Sequence, residues 1–170
     1  MINYINNRAS SEEKFIIAPH QINPIAIQKL QKDILGKSVL FSNYQQNELK
    51  SAQVFIVDTI GILTKVYSYA DVAYVGGGFT NGIHNILEPA TFGVPIVIGP
   101  KYQKFKEAKD LVAINGCFVA HSSVEFDKIL LQLRAAKNNK EMGQKASAYI
   151  KSNVGATNQI LSYMIKFIKN

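Results

Sequence analysis

Apolar runs of strand length alternate with stretches of helical spacing through most of this chain. Phe15 to Ala18 reads as a strand, and Ile25 to Leu35 as a helix with Pro24 near its first turn. Ser38 to Phe41 and Val54 to Val57 read as the next strands, joined by a polar loop. Ile62 to Tyr69 looks helical, Val72 to Val75 is strand-like, and a helix is expected from about His84 to Phe92. Gly93 stands where a C-cap belongs, before a short buried strand over Pro95 to Ile98. Phe105 to Asn115, with Gly116 after it, is the next helix, and Cys117 to Ala120 the last strand. Two or three helices complete the pattern.

Such alternation predicts an α/β fold: an open parallel sheet with helices on both faces, Rossmann-like in its layering. Ligands of such sheets bind beyond the carboxyl ends of the strands. The segments expected at that rim are Pro19-His20, the loop after Val57, the glycine turn after Val75 and the Gly99-Pro100 loop.

The richest chemistry lies in Tyr74-Val-Gly-Gly-Gly-Phe-Thr-Asn-Gly-Ile-His-Asn-Ile-Leu-Glu-Pro89. Gly76, Gly77 and Gly78 let the backbone approach an anion closely, and a helix start after them supplies N–H donors. His84 and Glu88 are spaced to share a helix face, so a carboxylate would lie one turn below a phosphate site, within reach of ribose hydroxyls. The alternative for the glycines alone is a tight turn, and for His84 alone a structural histidine. Neither the P-loop nor the G-x-G-x-x-G pattern fits. The combination suggests a nucleotide site.

Bulk properties narrow the classes. With 170 residues, 47% hydrophobic content and mean hydropathy +0.01, the chain reads as one globular domain. No apolar run approaches transmembrane length, and Met1 to Ser11 is too polar for a secretory signal. A single cysteine, Cys117, excludes an internal disulfide and sits in an apolar run as a buried thiol would. No Cys/His cluster suggests zinc. Residues 1–127 carry 11 basic and 11 acidic side chains, so the whole net charge of +7 falls in 128–170. That basic end reads as solvated helix faces, with anionic lipid as the alternative. Nucleic acid lacks the interleaved aromatic platform it would need.

The segment from Asp58-Thr-Ile-Gly61 through Tyr67, Ala70-Asp71-Val-Ala73, Gly76-Gly77 and His84-Asn-Ile-Leu-Glu-Pro89 to Gly99-Pro100 resembles the donor-binding half of 3-deoxy-D-manno-octulosonic acid (Kdo) transferases. Phe105-Lys-Glu-Ala-Lys-Asp-Leu111 extends the resemblance, which covers most of residues 15–120. These are GT-B glycosyltransferases of lipopolysaccharide synthesis, moving Kdo from CMP-Kdo to a lipid A precursor. The resemblance implies that Gly76, Gly77 and Gly78 lie beside the CMP phosphate, and that Asn85 and Glu88 hold the ribose. Pro19, His20, Asp58, Thr59 and Gly61 would line the base and phosphate side, with His84, Gly99 and Pro100 completing the site. It implies no cofactor and no metal. The implied location is the cytoplasmic face of the bacterial inner membrane, with peripheral membrane contact.

Departures and alternatives accompany it. Many members carry Arg between the residues matching Pro19 and His20, and Gly-Glu-Leu where this chain has Gly61-Ile62-Leu63. Lys101, Lys104 or Lys106 could supply positive charge; otherwise each is a solvated lysine. A GT-B enzyme has two such domains. Residues 1–170 are expected to be one donor-binding domain, with the acceptor half, its catalytic base and the first donor-side strand absent, and little turnover alone. Competing readings are another GT-B glycosyltransferase, a sugar-nucleotide epimerase, or a non-catalytic nucleotide-binding remnant. Ile160, Leu161, Met164, Ile165 and Ile168 have helical spacing, expected to pack on this domain; the alternatives are a membrane, a partner or a second copy.

Overall fold

The computed structural model describes residues 1–135 and 139–168, so Lys137 and Lys169 of the basic end lie outside the described residues. Contacts divide the chain into two compact units: Met1–Tyr69 with Ser123–Lys128, and Ala70–Ser122 with Ile129–Asn170.

In the first unit, strands β1 (Phe15–Ile17), β2 (Ser38–Leu40) and β3 (Val54–Ile56) form a parallel sheet in the order β1-β3-β2. The register aligns Phe15 and Ser38 with Val54. Parallel neighbours require a crossover, supplied here by α2 (Pro24–Asp33) and α3 (Gln46–Ser51). Asn23 caps α2, its Oδ1 accepting from the N–H groups of Ile25 and Ala26, and Pro24 occupies the first helical position. α3 falls in the stretch expected to be a polar loop. It is held by a capping box in which the Gln45 side chain and Glu48 bond each other's backbone N–H groups. Phe41, expected to end β2, instead opens a 3₁₀ turn, Phe41–Asn43.

A further helix, α1 (Ile2–Asn7), occupies the polar-looking lead. Tyr4 and Ile5 are only 1% and 4% exposed. The Tyr4 ring meets Phe15 and Phe126 edge-on, each with centroids 6.2 Å apart. Its hydroxyl donates to Glu13 Oε1 at 2.8 Å. Ile5, Ile27, Ile34, Val54 and Ile56 form this unit's core.

In the second unit, β4 (Ala73–Val75), β5 (Ile96–Ile98) and β6 (Cys117–Val119) form a parallel sheet with β5 central. Ile96, Val97 and Ile98 are completely buried, the unbroken apolar run of a strand covered on both sides. After β3 come the short α4 (Leu63–Val66) and a 3₁₀ turn; α5 (Leu87–Thr91) and α6 (Lys106–Ala113) connect the second sheet.

Both α5 and α6 end in Schellman motifs. After α5, Gly93 takes φ +67°, its N–H bonds Ala90 O, and the N–H of Val94 reaches Pro89 O. After α6 the left-handed residue is Asn115 (φ +56°) rather than Gly116, whose N–H bonds Leu111 O.

Three helices follow: α7 (Ser123–Ala135), α8 (Asn139–Ser152) and α9 (Ala156–Ile168). A methyl group on Gly143 of α8 would run into the Gly93 carbonyl, so α8 lies backbone-close on the end of α5. The Tyr149 hydroxyl donates to Asp110 at 2.9 Å, tying α8 to α6.

α9 overturns the expectation of packing. Every described residue of this helix is exposed, including Ile160, Tyr163, Met164, Phe167 and Ile168. Its apolar positions therefore form a bare face, not a seam against this domain. No helix among the described residues is long and apolar enough to cross a membrane.

Candidate functional site

The expected site residues fall into two groups, one in each unit. The first unit holds a cavity of about 330 Å³ lined by Ala18, Pro19, His20, Thr59, Ile60, Gly61 and other side chains. It opens where the chain leaves β1 and β3, so Pro19, His20, Thr59 and Gly61 do come together. Thr59 Oγ1 is buried without a hydrogen-bond partner among the described residues. Gly61 turns with φ +92°.

Asp58 is engaged differently. Its carboxylate accepts from both the backbone N–H and the hydroxyl of Ser42. Partial burial pushes its pKa up, but the Ser42 hydroxyl and backbone donors outweigh this and hold it below the ordinary value. Asp58 thus ties the end of β3 to the turn after β2.

The second unit holds the glycine turn. Gly77 takes φ +89° and Gly82 φ +126°, conformations that side-chain-bearing residues rarely adopt. The carbonyl of Gly76 accepts from His84 N–H, that of Gly77 from Thr80 and Gly82 N–H, and that of Gly78 from Lys101 N–H. These turn bonds use glycine carbonyls and leave the N–H groups of Gly76, Gly77 and Gly78 outside them. Successive N–H groups around a left-handed residue form an anion-accepting concavity.

Gly78 and Gly99 meet backbone to backbone. A Cβ on Gly78 would stand 2.7 Å from Gly99 Cα, and one on Gly99 would stand 2.6 Å from Gly78 C. Only glycine at both positions lets the β4 and β5 loops touch.

His84 and Asn85 correct the helix boundary. The helix starts at Leu87, so the two residues precede it and the shared-face argument for His84 and Glu88 does not hold. The physical reason is the Asn85 side chain, whose Oδ1 accepts from Leu87 N–H at 3.0 Å in a local turn. His84 remains at the site by another route: its ring packs on the glycine turn, and a Cβ on Gly77 would lie 3.3 Å from His84 Nε2. Asn85 Nδ2 donates to Glu88 Oε1 at 2.8 Å, so these two side chains are paired in the structure.

Sequence reasoning missed the turn's props. The Phe105 ring lies against Gly82, where a Cβ would come within 3.0 Å of Cε2. Lys101 Nζ donates to Thr80 O at 2.7 Å. Of the candidate lysines, Lys101 is thus bound to the turn itself, while Lys106 pairs with Asp110 along α6. Gly82 was the available signal, since a glycine outside the triple cluster still marks a position of unusual φ.

Parallel ladders joined by helices, with a glycine turn after one strand and an acidic residue in the next helix, define a Rossmann-like α/β protein. The comparisons narrow the class. No protein-family profile matches the chain. The Kdo transferase of Aquifex aeolicus is 31% identical over 139 residues, which cover 80% of this chain and 38% of that protein. The Haemophilus influenzae Kdo transferase is 28% identical over 158 residues, covering 89% of this chain and 36% of that protein. A crystal structure of the C-terminal CMP-Kdo binding domain of WaaA from Acinetobacter baumannii superposes with a TM-score of 0.69. It is 26% identical and covers 77% of this chain and 70% of that domain. In sequence and in fold, the chain is a homologue of the C-terminal half of the Kdo transferases. It spans less than two-fifths of the length of the two enzymes, 38% and 36%.

Proposed function

We propose that residues 1–170 are the donor-binding half of a glycosyltransferase that moves Kdo from CMP-Kdo onto a lipid A precursor. The observation that carries this reading is the backbone-close Gly78–Gly99 contact beside a turn whose bonds among the described residues run to the glycine carbonyls. A leaving CMP gains negative charge on its phosphate. Fixed backbone donors stabilise that charge as it develops and need no reorganisation to do so. In this reading Gly76, Gly77 and Gly78 face the phosphate, and the paired Asn85 and Glu88 serve the ribose. The loops carrying Pro19, His20, Thr59 and Gly61 serve the base and phosphate side. Ser42 fixes Asp58, which therefore shapes its loop in preference to touching the donor.

The acceptor, the catalytic base and contact with the cytoplasmic face of the inner membrane belong to the whole enzyme in this reading. The basic charge of 128–170 is compatible with an anionic surface. Calorimetric titration with CMP, with UMP as the control, tests the donor assignment. Saturable binding of CMP with weaker or no binding of UMP is expected. Preference for UMP would move the chain to another GT-B class.

A further inference from the structure

We infer that Asn85 is a positioning residue for Glu88 and not itself a ribose ligand. This rests on the nucleotide reading above and departs from it in dividing the roles of the two side chains. Glu88 is half-buried at the start of α5. To hold two neighbouring ribose hydroxyls, its carboxylate plane must be fixed, and a glutamate otherwise loses rotamer freedom on binding. Asn85 removes that freedom beforehand. Its Nδ2 donates to Glu88 Oε1 at 2.8 Å while its Oδ1 accepts from Leu87 N–H at 3.0 Å.

The amide orientation follows from its partners. A backbone N–H only donates and an ionised carboxylate only accepts, so oxygen must face Leu87 and nitrogen must face Glu88. Both ends of the amide are thus engaged within one turn of chain. Glu88 keeps its second oxygen for a ligand, whereas Asn85 has one N–H left and no remaining reason to be mobile. The arrangement is a built orienting device: the helix start holds the amide, and the amide holds the acid.

Two substitutions separate this role from simple capping. Asn85→Asp keeps an acceptor for Leu87 N–H but sets a second carboxylate against Glu88. Asn85→Ala removes both bonds. CMP titration of the folded chain at neutral pH should show binding weakened roughly tenfold or more by Asn85→Ala, and further by Asn85→Asp. In a Glu88→Ala background, either Asn85 substitution should change affinity by less than about twofold, the mark of two groups acting as one. Wild-type affinity in Asn85→Asp would overturn the inference in favour of capping alone. Full multiplicative losses in the double variant would overturn it in favour of a direct Asn85 contact. Failure of the unaltered chain to bind CMP would instead overturn the nucleotide reading, and this role with it. A ligand-free check covers variants that fold poorly: Glu88→Ala should shift the Asn85 side-chain amide signals in an ¹⁵N spectrum, and unmoved signals would overturn the pairing.

Discussion

Replacing Gly78 by alanine should separate the two loops that build the site. The new Cβ would stand 2.7 Å from both Gly99 Cα and Gly99 N, where ordinary contact begins at about 3.4 Å. Both obstacles are backbone, so no side chain can swing away; one loop must move by about 0.7 Å, the difference between those distances. Overpacking of this kind costs about 1–3 kcal/mol, and the upper half of that range applies because β5 behind Gly99 is fully buried and cannot yield. For a chain of this size the melting temperature should fall by roughly 4–12 °C. Affinity should fall more sharply than stability, because a displaced turn misplaces several donors together; a loss of roughly 10–100-fold for CMP is expected. Thermal melts by circular dichroism and calorimetric titration well below the transition read the two effects separately. Gly99→Ala meets the same partner from the other side, so the double variant should cost less than the two single losses combined. Unchanged melting and unchanged CMP affinity in Gly78→Ala would mean that neither the fold nor nucleotide binding depends on the Gly78–Gly99 contact.

Other expectations follow from the same geometry. Removing 156–170 should shift the melting temperature by less than about 3 °C, because no described side chain of α9 is buried and surface changes cost little. The same truncation should abolish any concentration-dependent association in sedimentation. Cys117 is buried and its thiol is pushed up to about 12 by desolvation, so at neutral pH it should react with a disulfide reagent only as the chain unfolds. Reaction at the rate of a free thiol would contradict that burial. Asp110 is held below its ordinary value, first by the Lys106 hydrogen bond and then by that of Tyr149. A depressed folded-state value gives stability present above the ordinary carboxylate range and lost as pH falls through the folded value. Asp110→Asn should therefore flatten the acid limb of a stability–pH curve below about pH 4, and an unaltered limb would remove the role assigned to the α6–α8 tie.

The strands were legible as short runs rich in apolar residues, most clearly at Ile96-Val97-Ile98 between Pro95 and Gly99. Gly93 was legible as a helix end because a left-handed residue is needed there. What escaped had non-local causes. α1 looks polar, and the rings that pack on Tyr4 come from outside it, at Phe15 and, far along the chain, at Phe126. α3 hid behind a glutamine version of the capping box. In the candidate site, the glycines and Glu88 stood out by residue type. The boundary at His84 could not be read from spacing, because the Asn85 side-chain bond to Leu87 delays the helix. Helical spacing in α9 identified an apolar face correctly, yet spacing carries no information about what covers it.

Binding of an activated sugar's nucleotide by the β4 turn and the start of α5 can be read in an amide-resolved NMR titration of the ¹⁵N-labelled chain with CMP. Saturable shifts are expected at the backbone amides of Gly76, Gly77 and Gly78 and around Asn85 and Glu88, with the Cys117 strand and α9 unmoved. Shifts confined to the basic residues of α8, or a spectrum unchanged at millimolar CMP, would contradict such binding.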